Sequence, residues 1–186
     1  MTQRPPRPAT YEDLRALPEH LVGEIVDGEL VASPRPDVRN AVGTSALGAT
    51  LVTRMQFGDG GPGGWWILDE PELHLDEHVV VPDIAGWRRE RMPAPPRDAF
   101  ITLTPDWICE VLSPATGRFD RTRKLPLYAR LGIPYLWLLD PSLETLETYR
   151  LETGHRVLLA TRSADDVGRA EPFEAIEVDL KRVWGR

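Results

Sequence analysis

The sequence contains little cysteine, little lysine and no long apolar run. Cys109 is its single cysteine, which excludes an intrachain disulfide and a zinc site built on cysteines. No apolar run approaches the roughly 20 residues that a membrane-spanning helix needs. The first eight residues also lack the apolar segment of a signal peptide. We therefore expect a cytoplasmic protein.

Lysine is almost absent, since only Lys124 and Lys181 stand against twenty arginines. The net charge of -7 argues against a protein that coats nucleic acid generally, but it allows a nuclease whose acids gather at a metal. Lysine is a compact point charge and arginine a planar fork. In a chain so rich in arginine, a lysine that follows an acidic strand, Lys124, therefore indicates a position that needs a compact positive charge.

The remaining composition, 41% apolar and 27% charged over 186 residues, is typical of a globular protein. Residues 1–9 are rich in Pro and Arg and are expected to form a disordered tail. Residues 10–186 are expected to form a single domain. The order of segments predicts a mixed β-sheet flanked by helices, an α+β fold. The predicted elements are a short helix at 10–17, a hairpin at 24–32, a helix at 37–57, strands at 65–75 (broken near Pro71), 79–87, 107–112 and 135–140, a helix at about 121–131, a hairpin at 144–161 and a helical turn at 180–184.

The helix at 37–57 is expected to bury an apolar stripe, because its apolar residues recur at helical spacing. Gly43 and Gly48 in that segment either weaken the helix prediction or indicate close packing. The stripe consists of Val38, Val42, Leu47, Leu51, Val52 and Met55.

Two apolar segments are each interrupted by one acid. Glu110 lies in a run typical of a strand that is covered on both faces, and Asp83 lies in the run from Val79 to Ala85. A buried carboxylate is costly unless it is paired or binds a cation. If the two strands are neighbours, the acids could hold Mg²⁺ or Mn²⁺, with the carbonyl of Val111 as a third ligand.

An ordered set of residues resembles the Uma-two family, whose members are restriction-endonuclease-like proteins of the PD-(D/E)XK superfamily. The resemblance extends over about residues 10–180. The matching segments are Glu24 to Ala32 with its Asp-Gly turn, Val81-Pro82-Asp83, Glu110-Val111-Leu112-Ser113-Pro114, Thr116, Asp120, Lys124, Tyr128, Gly132 and Tyr135 to Pro141.

The resemblance implies a four-stranded mixed core sheet between helices, extended by hairpins, and a divalent-metal site that cuts DNA phosphodiesters. It also implies that Asp83 and Glu110 bind the metal and that Lys124, on the following helix, assists them as a third catalytic residue. Glu24 and Glu29 match further acids in the N-terminal hairpin. From the residues alone, nearby arginines are expected to position the phosphate backbone: Arg118, Arg121 and Arg123.

This chain departs from the pattern at three places. Leu112 stands where the superfamily has its usual lysine, two residues after the second acid. Pro126 lies within the helix that would carry Lys124, although proline fits only the first turn of a helix. Arg39-Asn40 stands where the family commonly has a histidine.

Each candidate residue also has a structural interpretation. Asp83 could be a strand-end turn residue, Glu110 could pair with a buried arginine, and Lys124 could be solvated. Asp120 is expected to be an N-cap that secondarily holds Lys124. At least one hairpin acid is expected to be exposed. The other chemically reactive or aromatic residues receive structural interpretations: His74 and His78 as surface strand residues, Cys109 as an inert core thiol, and Trp65, Trp66, Trp107 and Trp137 as core.

The residues therefore favour a Mg²⁺-dependent or Mn²⁺-dependent endonuclease that hydrolyses DNA, and a homodimer that could cut both strands. Two alternatives stay open. One is a binding or structural module that shares the fold without cleavage. The other is a metal-dependent hydrolase of a different phosphoester.

Overall fold

Two main β-sheets, a short two-stranded sheet and the helices packed on them form the fold in the computed structural model, which describes residues 7–186. The helices are α1 (Tyr11–Arg15), α2 (Val38–Leu51), α3 (Gly117–Phe119), α4 (Leu125–Arg130) and α5 (Leu180–Val183). The strands are β1 (Leu21–Val26), β2 (Glu29–Pro34), β3 (Trp65–Asp69), β4 (Leu73–Leu75), β5 (His78–Val80), β6 (Ile84–Arg88), β7 (Trp107–Val111), β8 (Tyr135–Asp140), β9 (Thr145–Glu152), β10 (His155–Ser163), β11 (Val167–Gly168) and β12 (Val178–Asp179).

The larger sheet has six strands in the order β10-β9-β8-β7-β6-β3, and only β7 and β8 run parallel in it. The smaller sheet has the order β2-β1-β5-β4. The short sheet pairs β11 with β12.

The larger sheet is covered on both faces, which accounts for the apolar character of its central strands. One face packs against α2, α5 and the C-terminal segment around Phe173. The other face packs against α4 and the smaller sheet. The mixed α+β architecture expected from the order of segments is confirmed, although the larger sheet has six strands where the resemblance implied a core of four.

The expected tail of residues 1–9 lies mostly outside the described residues. Within it, Ala9 donates its N–H to the carbonyl of Gly28 at 2.8 Å. Whether residues 10–186 form a single domain stays a prediction. Among residues 7–186, no helix is long and apolar enough to cross a membrane.

The strand predicted over residues 79–87 is wrong as a single element, since it divides into β5 in the smaller sheet and β6 in the larger one. The segment Val81-Pro82-Asp83 separates them. Proline has no N–H for a ladder hydrogen bond. The N–H of Val81 also leaves the ladder and donates to Glu24 Oε1 at 2.9 Å. The chain therefore changes sheets here.

The helix after Asp37 forms as predicted, but its apolar stripe is only half correct. Asp37 caps it by accepting from the N–H of Asn40. Leu47, Leu51 and Met55 are buried, whereas Val38 and Val42 are 80% and 41% exposed. The helix continues as a π-helical turn over Val52–Gln56. Gly43 lies against Leu139 and Pro141, which supports the expected close packing there.

The helical segment after β7 begins earlier than predicted. It runs through α3, a π-helical turn over Asp120–Lys124, and α4. Asp120 is therefore inside the segment, and its prediction as an N-cap is wrong. The N–H of Leu125 bonds to the carbonyl of Asp120, which closes the wide π turn. Pro126 then lies in the first turn of α4, where a missing N–H is tolerated.

Candidate active site

Asp83 and Glu110 come together where β6 begins beside β7. Ile84, the first residue of β6, pairs antiparallel with Cys109, so Asp83 precedes a strand whose neighbour carries Glu110. Asp83 Oδ2 accepts from the N–H of Val111 at 2.6 Å. Both side chains line the same cavity. The two acids thus converge on one site and do not point to separate parts of the structure.

Lys124 reaches both of the buried glutamates. Its Nζ lies 2.8 Å from Glu110 Oε1 and 2.8 Å from Glu24 Oε1, and it donates to the carbonyl of Val81 at 3.4 Å. The side chain is 3% exposed. Glu110 is therefore paired with a lysine, and the alternative prediction that it pairs with a buried arginine is wrong. Lys124 is buried and not solvated, and Pro126 does not turn it away.

Tyr128 belongs to the same cluster. Its hydroxyl donates to Glu110 Oε1 at 2.5 Å. Apart from the family resemblance, no role was predicted for Tyr128. Its position carried a signal, however, because Tyr128 follows Lys124 by four residues, and this spacing places both side chains on one face of a helix.

Asn40 is a second residue whose role the sequence reasoning missed. Its buried side-chain amide donates to the carbonyls of Val111 and Leu112 at 2.9 and 3.2 Å. The one signal in the sequence was the resemblance, in which Arg39-Asn40 stands where the family commonly has a histidine. The contact itself arises only because α2 arrives beside the end of β7.

These side chains line a cavity of about 60 Å³, which has room for about two water molecules. Exposed Pro34 and Pro36 line it on one side, so the cavity connects with solvent. Its polar lining is rich in oxygen donors: Glu24, Ser33, Asn40, Glu70, Asp83, Glu110, Val111, Ser113, Thr116 and Asp120, with Lys124.

The donor set fits a hard divalent cation. Mg²⁺ prefers oxygen ligands and commonly takes only one or two carboxylates while it keeps several waters. Within residues 7–186, no three His, Cys, Asp or Glu side chains are already arranged as one ligand set. At this cavity, Asp83, Glu110 and the carbonyl of Val111 are the groups that would hold Mg²⁺ or Mn²⁺, with water and phosphate as the remaining ligands.

Burial raises the proton affinity of the acids in this cavity. It raises the pKa of Asp83 to about 6, against the opposing effects of the Val111 N–H and of Lys124. It raises the pKa of Glu110 well above its usual value, which Lys124 only partly offsets, and it raises the pKa of Asp120. Ionising these acids is therefore costly in the metal-free protein, and a bound cation would favour their charged forms.

The lysine and the tyrosine keep their protons. Burial alone would lower the pKa of Lys124, but the carboxylates of Glu110 and Glu24 outweigh it, so that pKa lies well above its usual value. Burial and the charge of Glu110 raise the pKa of Tyr128. The site therefore combines a persistent ammonium group and a phenol donor with several carboxyls.

The other candidate residues are divided between the cavity and the surface. Asp120 lines the cavity, whereas Glu29 is exposed and pairs with Arg123 at 3.0 Å. Arg121 is held by both oxygens of Glu147 at 2.7 and 3.0 Å. Within residues 7–186, Arg118 makes no ion pair, which leaves it the most accessible of the three arginines for phosphate.

The prediction of His78 as a surface residue is wrong, because it is 5% exposed. Its Nδ1 accepts from the N–H of Asp27 at 3.1 Å and so ties the hairpin turn to β5. His74 is half-buried and stacks on Phe100. Cys109 is a buried core thiol, as expected. Of the four tryptophans expected in the core, Trp65, Trp107 and Trp137 are buried, and Trp66 is half-buried.

A mixed sheet that places two acids and a lysine at one cavity defines a restriction-endonuclease-like arrangement. Comparison with known proteins agrees with this class. The Uma2 family, described as "Putative restriction endonuclease", matches residues 8–181. The chain belongs to this family.

A solved structure shares the fold. It is a crystal structure of a "putative nuclease belonging to DUF820" from Anabaena variabilis, with a TM-score of 0.75 and 21% sequence identity over 96% of this chain and 98% of that chain. No curated protein matches the chain.

Proposed function

We propose that this chain is a metal-dependent endonuclease that hydrolyses DNA phosphodiester bonds with a metal-activated water. The observation that carries the proposal is the convergence of Asp83, Glu110 and Lys124 in one cavity. Its family, described as "Putative restriction endonuclease", supports DNA as the substrate. We further propose that Asp83, Glu110 and Lys124 are catalytic.

The residues of the chain would divide the work as follows. Asp83 and Glu110, with the carbonyl of Val111, would hold Mg²⁺ or Mn²⁺, which supplies Lewis acidity to activate water and to stabilise charge on the phosphate. Lys124 keeps a positive charge beside Glu110 and would offset charge on the phosphate oxygens. Tyr128 fixes the orientation of Glu110 through its hydrogen bond.

The geometry favours an enzyme over an inactive module of the same fold. Leu112 occupies the position of the usual lysine, but it packs in the core between the larger sheet and α4. Lys124 instead places an ammonium group 2.8 Å from Glu110. The charge that this chain lacks on the strand is thus supplied from the helix.

The test is cleavage of plasmid and oligonucleotide DNA with Mg²⁺, with Mn²⁺ and with EDTA. We expect metal-dependent cleavage by the wild-type chain and its loss, by about 100-fold or more, in Asp83→Ala. Asp59→Ala removes an exposed acid in a distant loop and is the matched control, for which we expect wild-type cleavage.

Each alternative function gives a different result in the same assay. DNA binding without cleavage under any metal condition would identify a binding module. Hydrolysis of bis(p-nitrophenyl) phosphate, with single-stranded and duplex DNA left intact, would identify a hydrolase of other phosphoesters. Either result contradicts the proposal.

A further inference from the structure

The end of β7 lies opposite a residue that cannot complete its ladder of hydrogen bonds. β6 and β7 are antiparallel with Ile84 opposite Cys109, so the same register places Pro82 opposite Val111. A proline has no N–H to donate. The carbonyl of Val111, buried in the core, therefore has no backbone donor on that side.

Two side chains replace the missing ladder bonds. Asp83 Oδ2 accepts from the N–H of Val111 at 2.6 Å. Asn40 Nδ2 donates to the carbonyl of Val111 at 2.9 Å and to that of Leu112 at 3.2 Å. Both acceptors are carbonyl oxygens, so the NH₂ group of the Asn40 amide, and not its oxygen, must face them. Val111 is thus held from both sides by side chains that line the cavity.

Asn40 is itself held in place by the start of α2. Its N–H donates to Asp37 Oδ1 at 3.0 Å, and its carbonyl accepts from the hydroxyl of Thr44 at 2.9 Å. Its side chain is 4% exposed. The amide therefore has little freedom to leave the two carbonyls.

We propose that Asn40 is a positioning residue for the metal site, because it presents the carbonyl of Val111 as a ligand. A carbonyl oxygen has two lone pairs, so the bond from Asn40 leaves one for a cation. Partners of this kind orient metal ligands, and their loss commonly weakens metal binding by about 10-fold to 100-fold. This inference rests on the proposed metal-dependent function.

The test measures Mn²⁺ binding to the protein alone, by the electron paramagnetic resonance signal of free Mn²⁺. Asn40→Leu keeps the shape of the side chain and removes both donors. We expect its Kd for Mn²⁺ to rise about tenfold or more. Asn40→His, whose ring N–H can donate to one carbonyl, should recover much of the affinity. Thr50→Ala, which removes a hydroxyl bonded to Ala46 in the same helix, should bind as the wild type does.

The outcomes separate this role from a purely structural one. If Asn40→Leu folds by circular dichroism and binds Mn²⁺ with the wild-type Kd, the inference is wrong even if the variant melts at a lower temperature. If Asn40→Leu does not fold, Asn40→Ala replaces it with the same expected rise in Kd, because a water in the vacated space can satisfy the buried carbonyl without fixing its direction. A wild-type chain that binds no Mn²⁺ would overturn both this inference and the proposed function.

Discussion

Lys124 is the residue on which the charge balance of the cavity depends. It is the single basic residue among the cavity-lining residues, and it contacts both Glu24 and Glu110 at 2.8 Å. Removing one partner of a buried ion pair costs far more than removing an exposed one, because the other charge stays buried without compensation. This residue should therefore matter for folding as well as for activity.

We expect Lys124→Met to lower the free energy of unfolding by about 3–5 kcal/mol. Urea unfolding in EDTA measures it without any contribution from metal. Lys181→Met is the matched control, because Lys181 is the second lysine of the chain and is exposed. Its effect should stay within about 0.5 kcal/mol. Equal effects of the two substitutions would contradict a structural role for Lys124.

Asp83 makes the stability of the metal-free protein depend on pH. Its pKa is raised to about 6 by burial, so the folded state binds this proton more tightly than the unfolded state does. Its contribution to stability is therefore fully present below about pH 4 and is lost as the pH rises through 6. The difference between a pKa of about 6 and the ordinary value of 3.8 corresponds to about 3 kcal/mol.

Asp83→Asn removes this titration and keeps an oxygen that can accept from the N–H of Val111. Relative to the wild type, we expect the variant to gain stability between pH 4 and pH 7, by up to about 3 kcal/mol. Urea unfolding in EDTA across that range measures the difference. A difference that stays constant with pH would show that Asp83 does not titrate there.

At the scale of elements, the hairpin of β1 and β2 delivers Glu24 to the cavity. Its turn residues, Asp27 and Gly28, both have positive φ, at 51° and 74°. Such a type I′ turn matches the twist of the strands it joins. The Asp-Gly pair therefore sets the register in which Glu24 lies opposite Val31.

We expect Gly28→Ala to destabilise the protein by about 1 kcal/mol, because an L side chain is strained at this φ. The added Cβ would make only an ordinary contact with Pro8, at 3.5 Å, so crowding does not contribute. Gly117→Ala is the control, since Gly117 is helical and its φ is not positive. That substitution should be neutral or stabilising by up to about 1 kcal/mol. Thermal unfolding compares them, and a harmless Gly28→Ala would contradict the turn assignment.

The π-helical turn is the element that makes Lys124 available. Leu125 bonds five residues back to Asp120, and such wide turns are frequent at functional sites. Nothing in the residues Asp120–Lys124 distinguishes it from an ordinary helical turn, and Pro126 alone suggests an interruption. Sequence periodicity could therefore predict a helix here but not its phase.

At the scale of the whole molecule, an exposed apolar patch lies away from the cavity. It consists of Val38, Val42 and Leu143, which are 80%, 41% and 70% exposed. They line one pocket with Trp184 and with the polar residues Arg39, Ser142 and Glu144. Exposed apolar side chains that are grouped and bordered by polar residues often mark an interaction site. We propose it as the contact of a homodimer.

Size-exclusion chromatography with light scattering tests the dimer. We expect a dimeric mass for the wild-type chain and a monomeric mass for Leu143→Glu, because a charge buried in an apolar contact is costly. Val157→Glu places the same charge at a different exposed apolar position and should leave the dimer intact. A wild-type monomer at every concentration would contradict the proposal.

The sequence by itself determined most of the elements and the identities of the central acids. Apolar runs, apolar residues at helical spacing and the Asp-Gly turn are local signals, and they predicted the hairpins, α2, β7 and β8. An acid within an apolar strand is also a local signal, because burying a carboxylate is costly wherever the strand lies. Asp83, Glu110 and the rarity of lysine were therefore visible without a structure.

Only the tertiary structure decided which side chains meet at the cavity. Four features depend on contacts between residues 51 to 100 positions apart or on the register of two sheets. They are the switch of sheets at Pro82, the burial of His78, the pairing of Glu24 with Lys124 and the bond from Asn40 to Val111. Such contacts depend on how whole elements pack, and their free energy is gained only when distant surfaces are buried together. No window of local sequence carries that information.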